Sequence, residues 1–142
     1  MIHNHMFLRI AKEISVQGTC PRAQVGAVIV RRRRIISTGY NGAPSHLPHC
    51  TDVGCEVEAG GCTNSTHAEA NAIAFAAKEG IATGFAELYC THTPCIKCAQ
   101  LIINSGIIRV YTGKAYRDMR GADLLKKAGV EVIQCYEWQQ TP

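Results

Sequence analysis

Four residues have the types and spacing of a metal-assisted proton-transfer site. Cys95 and Cys98 follow Thr93 and Pro94, and His67 and Glu69 stand at the head of an alanine-rich run, A-E-A-N-A-I-A-F-A-A-K. Two cysteines three apart at the start of a helix lie one turn apart on the same face. Pro94 suits a helix start, where its missing N–H costs nothing, and the partial positive charge there favours thiolate over thiol. Two thiolates and the imidazole of His67 give zinc three protein ligands and leave its fourth tetrahedral position open to water, which separates a catalytic zinc from a structural one. Glu69 reaches the open side. A carboxylate there takes a proton from water activated at the metal and later returns it to a leaving group.

Such a site needs elements to hold it. The periodicity predicts a helix over residues 3–17, then strands over 25–30 and 35–40 joined by the arginine run 31–34. An irregular Gly-, Pro- and Cys-rich stretch follows over 41–64; a loop of that length inside a compact domain is usually functional or braced by metal. Helices are expected over 68–78, stopped by Gly80, over 95–104, stopped by Gly106, and over 122–128, closed by Gly129. Strands fall over 87–91, 107–112 and 130–135. Strands alternating with short helices predict an α/β protein with parallel βαβ units, opened by an antiparallel hairpin.

With 142 residues, 46% of them hydrophobic, and a net charge of +4, the chain is expected to form one globular domain over 1–142. No run approaches the ~18 apolar residues of a membrane span, and the first ten residues lack a signal-peptide pattern, so the expected location is the cytoplasm. In a reducing compartment the eight cysteines read as metal ligands or small buried hydrophobes rather than disulfides. Cys50, Cys55 and Cys62, with His49, crowd the irregular stretch and suggest a metal clip. Cys90 and Cys135, in apolar strand-like runs, read as buried thiols without a function. The run Arg31 to Arg34 reads as a solvated hairpin turn, with an electrostatic patch as the functional alternative. Aromatic residues, 6% of the chain and not interleaved with it, do not suit stacking on a polymeric nucleic acid.

The pattern H-x-E followed by P-C-x-x-C is the signature of zinc deaminases acting on cytosine or adenine. Together with V-G-A-V-I-V, G-Y-N-G-A-P, H-A-E-A-N-A-I, T-P-C-I-K-C-A-Q and I-I-N-S-G-I, the chain resembles deoxycytidylate (dCMP) deaminases from about residue 20 to 135, similar to bacterial and bacteriophage members. The resemblance implies a cytidine-deaminase-like three-layer α/β/α sandwich with a mixed sheet of about five strands. It also implies hydrolysis of dCMP to dUMP and ammonia, which supplies thymidylate synthesis. His67, Cys95 and Cys98 match the catalytic zinc ligands and Glu69 the proton shuttle. Arg22, Asn41, Tyr116 and Arg117 resemble positions that face the nucleotide. Tyr40, Asn41 and Gly42 resemble part of an allosteric site for dCTP, the activator, and dTTP, the inhibitor, bound with Mg2+; the alternative there is a tight turn after a strand. Some members carry a second, structural zinc. Cys20 and Cys50 resemble two of its ligands, with Cys55, Cys62 and His49 competing for the rest. Members commonly assemble as homohexamers. His92, near the active-site turn, either packs or touches substrate, and His3, His5 and His46 have no partner legible in the sequence.

Two other readings compete. A tRNA adenosine deaminase shares His-Ala-Glu and Pro-Cys-x-x-Cys, but lacks G-Y-N-G-A-P and the cysteine-rich insertion and needs a broad basic face. A non-catalytic, zinc-braced nucleotide-binding module has no need of Glu69 at an open metal position.

Overall fold

The computed structural model of the chain describes residues 2–58, 61–115 and 118–136, with side chains from residue 5 onward. Tyr116 and Arg117, both expected at the nucleotide, lie outside the described residues, as does the side chain of His3. Helix α1 (Ile2–Ser15) is amphipathic: Phe7, Leu8 and Ala11 are buried, while Arg9, Lys12 and Glu13 face water. It stops two residues short of the predicted end, at Ser15, whose hydroxyl donates back to the Lys12 carbonyl. Strands β1 (Gly26–Arg31) and β2 (Arg34–Tyr40) form the expected antiparallel hairpin. Its turn is narrower than the full arginine run: only Arg32 and Arg33 lie outside the strands, with φ of 53° and 64°. A two-residue turn of that hand suits the sheet twist, although it favours Asn and Gly.

The stretch expected to be irregular carries a four-residue helix α2 (Cys50–Val53) and a small antiparallel hairpin, β3 (Val57–Glu58) with β4 (Gly61–Cys62). Elements this short fall below any periodicity signal. The ends of the stretch are tied together, because Gly42 and Thr66 exchange backbone hydrogen bonds of 3.2 and 2.8 Å. Helix α3 (Ala68–Lys78) has the predicted bounds, with Gly80 at φ 68° just beyond it. Strand β5 (Glu87–Cys90), helix α4 (Ile96–Asn104), strand β6 (Arg109–Thr112), helix α5 (Arg120–Lys127) and strand β7 (Glu131–Gln134) follow, within two residues of the predicted bounds.

The mixed sheet has five strands in the order β2-β1-β5-β6-β7. β1 runs antiparallel to both neighbours, whereas β5, β6 and β7 are parallel and are joined through α4 and α5. Alternating side chains divide the core. Ile29, Leu88 and Val110 pack with α3, α4 and α5 on one face, and Val28, Val30, Tyr89 and Tyr111 pack with α1 on the other. On that second face Tyr89 stacks on Tyr111 with centroids 4.4 Å apart and meets Phe7 at 5.0 Å. Each large apolar side chain removed from water contributes about 1.5–3 kcal/mol. The result is the expected three-layer α/β/α arrangement.

The alanines of α3 have a specific role in this arrangement. Ala68, Ala72 and Ala76 are fully buried, and the helix approaches β2 so closely that a Cβ on Gly39 would lie 2.3 Å from the Ala68 carbonyl oxygen and 2.6 Å from the Ala72 nitrogen. Larger side chains at these positions would lift α3 off the sheet, and with it the residues at its N-terminus.

Candidate active site

His67 and Cys95 are the N-cap residues of α3 and α4, both in extended conformation, and neither uses its side chain to cap its own helix. The imidazole and the thiol are therefore available beyond the helix ends. Cys98 lies buried in the first part of α4. His67 Nδ1 is 3.4 Å from Cys95 Sγ and 3.4 Å from Cys98 Sγ, and the three ligand atoms lie within 4.8 Å of one another. Zinc with ordinary Zn–N and Zn–S bonds at tetrahedral angles holds nitrogen and sulfur about 3.6 Å apart. The donor set and its geometry fit that ion.

The electrostatics agree. The hydrogen bond from Cys98 holds the Cys95 thiol down at about 4, with further help from His67. The same bond pushes Cys98 up, and Cys95 raises His67. The trio thus favours a thiolate beside an imidazole, a donor set matched to a divalent cation.

Glu69 is 4% exposed. Its burial raises its affinity for a proton, opposed chiefly by its own backbone N–H and by the neighbouring His67. Because His67 is a cap with extended backbone rather than a helical residue, two positions in sequence suffice to bring Glu69 to the same site. The Cys90 thiol donates to Glu69 Oε1 at 3.3 Å. Cys90 is fully buried, which pushes its thiol well up and keeps the proton on sulfur. The sequence reading of Cys90 as a thiol without a function needs correction: it anchors one oxygen of the proposed proton shuttle.

A cleft of about 270 Å³ opens onto these groups, lined by His67, Glu69 and Cys95 together with Arg22, Asn41 and Ser65. Arg22 and Asn41 thus line the same cleft as His67, Glu69 and Cys95. The amide of Asn41 is largely engaged, however: Oδ1 accepts from the Val25 N–H at 2.8 Å and Nδ2 donates to the Ala23 carbonyl at 2.7 Å. Its first role is to fix the segment that leads into β1. Tyr40 and Gly42 do not line this cleft; the Tyr40 carbonyl accepts from Asn71 Nδ2 at 2.8 Å, and Gly42 forms the tie to Thr66. Ser65, which no motif marked, presents a buried hydroxyl with no partner among the described residues.

Beside the cleft, Cys20, Cys50, Cys55 and Cys62 bring their sulfurs within 4.8 Å of one another. Cys20 and Cys55 are 3.7 Å apart and Cys50 and Cys62 3.4 Å, close to the edge of about 3.8 Å expected for tetrahedral zinc with four thiolates. All eight cysteines are free. His49, a competing ligand in the sequence reading, is not in this cluster. Its Nδ1 is hydrogen-bonded to Thr19 Oγ1 at 2.8 Å and takes the Ala43 N–H at 3.4 Å, so it braces the loop instead.

Comparison with known proteins agrees with this geometry. The model of a family described as the cytidine and deoxycytidylate deaminase zinc-binding region matches residues 1–114. ComE operon protein 2 of Bacillus subtilis (strain 168) is 42% identical over 132 residues, covering 92% of this chain and 70% of that protein. Deoxycytidylate deaminase of Saccharomyces cerevisiae is 36% identical over 135 residues, and there the chain spans only 43% of the relative's length. Among solved structures, the dCMP deaminase of cyanophage S-TIM5 in complex with dCMP and dUMP superposes with a TM-score of 0.83 at 36% identity, covering 92% of this chain and 94% of that one.

Proposed function

Because the chain belongs to the cytidine and deoxycytidylate deaminase zinc-binding family, we propose that it is a zinc-dependent enzyme that hydrolyses dCMP to dUMP and ammonia. The observation that carries this reading is His67 Nδ1 lying 3.4 Å from both cysteine sulfurs, with the buried Glu69 at the same cleft. It is further supported by the likeness to the phage enzyme solved with dCMP and dUMP. His67, Cys95 and Cys98 would hold a zinc ion, which when bound would supply the charge that brings the pKa of a water close to neutrality. Glu69 moves the protons: it accepts one from the attacking water and passes it to the ring nitrogen. It then takes the second from the hydroxyl newly bonded to the ring carbon and passes it to the amine, which departs as ammonia as the C–N bond breaks. A carboxyl whose affinity for protons is raised by burial suits a group that must both take and give. Cys90 restricts its orientation, and Arg22, Asn41, Tyr116 and Arg117 are assigned to the nucleotide.

Several finer assignments belong to the same proposal. The cluster of Cys20, Cys50, Cys55 and Cys62 holds a second, structural zinc. The enzyme supplies dUMP for thymidylate synthesis in the cytoplasm, as a homohexamer. dCTP activates it and dTTP inhibits it, each with Mg2+, through a site that includes Tyr40, Asn41 and Gly42.

The test is turnover by the zinc-loaded protein of dCMP, deoxycytidine and tRNA, each with and without dCTP and dTTP, followed as loss of cytosine absorbance or release of ammonia. Turnover of dCMP tuned by the triphosphates is expected. Turnover without tuning removes the regulation, and inosine in tRNA with silence on dCMP overturns the substrate.

A further inference from the structure

Ser65 is the last residue enclosed by the tie between Gly42 and Thr66, and the chain on its helix side is held firmly. Thr66 exchanges backbone hydrogen bonds with Gly42, and its carbonyl also accepts from Asn71 Nδ2 at 3.4 Å. His67 continues in extended conformation, with φ −66° and ψ 152°. In an extended chain successive side chains alternate sides, so Ser65 emerges on the side of His67, about 6.5 Å from it along the chain. Both residues line the metal cleft.

The fold gives this hydroxyl nothing to do. Its oxygen is buried, and no backbone group, side chain or cluster sulfur among the described residues pairs with it. Its polar neighbours in the cleft are otherwise committed. The Asn41 amide is spent on Val25 and Ala23, the Thr93 hydroxyl donates to the Lys114 carbonyl at 3.0 Å, and His92 Nδ1 is bonded to Thr91 at 2.9 Å. Arg22 carries a full charge, which suits an anion. A hydroxyl withdrawn from water without a partner costs free energy in the free protein, and the cost is recovered when a partner arrives. Rotation between staggered χ1 wells is all a serine needs to present its oxygen to the cleft its residue already lines.

We propose that Ser65 is a substrate-binding, specificity-determining residue whose hydroxyl bonds the uncharged part of the nucleotide, at the carbonyl oxygen of the pyrimidine ring or the hydroxyl of the sugar. Both are neutral hydrogen-bonding groups. Both also lie away from the amine, which must face His67 and Glu69. The substrate thus supplies the partner that the fold withholds. This inference rests on the nucleotide deaminase reading and adds to it a contact that grips the neutral portion of the substrate.

The test compares wild type with Ser65→Ala. Turnover of dCMP is measured beside that of 2′,3′-dideoxycytidine monophosphate, which lacks the sugar hydroxyl, and binding of dUMP, which is not consumed, is followed by calorimetry. Ser65→Ala is expected to raise KM for dCMP and Kd for dUMP roughly tenfold, the scale of a lost buried hydrogen bond. With the contact made equally in ground and transition states, kcat changes little. The nucleotide-free variant is expected to melt at or above the wild-type temperature, because the hydroxyl it loses was unpaired. A penalty that disappears with the dideoxy substrate assigns the contact to the sugar, and one that persists assigns it to the ring carbonyl. Unchanged KM and Kd overturn the proposal and leave the deaminase reading intact; a lower zinc content or melting temperature would then give the hydroxyl to the cysteine cluster. If the wild type turns over no dCMP, the substrate reading fails. Tighter dUMP binding by wild type than by Ser65→Ala then still supports the contact, and equal or absent binding removes it.

Discussion

Glu69 is a carboxyl kept from water beside two thiols and an imidazole, and both its chemistry and its energetic cost follow from that position. Glu69→Gln keeps the shape and removes the proton transfer. Its turnover is expected to fall by about 10²–10⁴ or more, with zinc content measured by mass spectrometry unchanged. Stability responds in the opposite direction. The folded-state pKa of Glu69 is raised above its ordinary value by burial, so its contribution to stability is fully present below the unfolded pKa and is lost as pH rises through the folded one. Metal-free Glu69→Gln is therefore expected to melt above metal-free wild type near pH 7 and together with it near pH 4. His67, Glu69, Cys95 and Cys98 were legible because their local spacing carries the chemistry. Cys90 and Ser65 were not: a lone cysteine in an apolar strand meets Glu69 only once β5 packs under α3, and no local pattern marks a serine whose hydroxyl ends up at the cleft.

The elements constrain the site through close backbone contacts. At the start of α5, a Cβ on Gly121 would lie 2.2 Å from the Pro94 carbonyl oxygen and 2.8 Å from that of Cys95. Gly121→Ala is expected to cost about 1–3 kcal/mol, as overpacking does, and to lower zinc affinity in a competition titration, because the strain falls on a ligand-bearing turn. The arginine hairpin makes a contrasting prediction. Arg32 and Arg33 both occupy the left-handed region, at about 1 kcal/mol or more each for a residue with a Cβ. Replacing the pair with Asn-Gly should raise the midpoint of urea unfolding and leave kcat unchanged. Most elements were readable from hydrophobic period and helix stops. The small α2, β3 and β4 were missed because two to four residues complete no period, and their form depends on sulfurs meeting from distant positions.

In the whole molecule the four-cysteine cluster and the catalytic cradle face one cleft, which Cys20 and Cys62 both help to line. Two zinc ions per chain are expected by elemental analysis. Cys55→Ser is expected to retain about one, to keep measurable turnover and to melt several degrees lower, whereas full chelation removes both activity and the remaining stabilisation. The sequence marked Cys20, Cys50, Cys55 and Cys62 as candidates but admitted His49 with them, since spacing cannot show that its ring is already occupied by Thr19. The tie between Gly42 and Thr66 has a consequence for how such chains diverge. It closes the excursion between them at its base, one residue before His67, so the outer part of the enclosed segment can differ in length without moving His67. Cys62 and Ser65, near the end of the segment, still line the cleft. For a flexible closed loop, doubling the number of residues costs only about 0.6 kcal/mol. Insertions and deletions can accumulate inside this boundary while the chemistry outside it is inherited intact, making the segment the natural place for descendants of one catalyst to acquire different bracing.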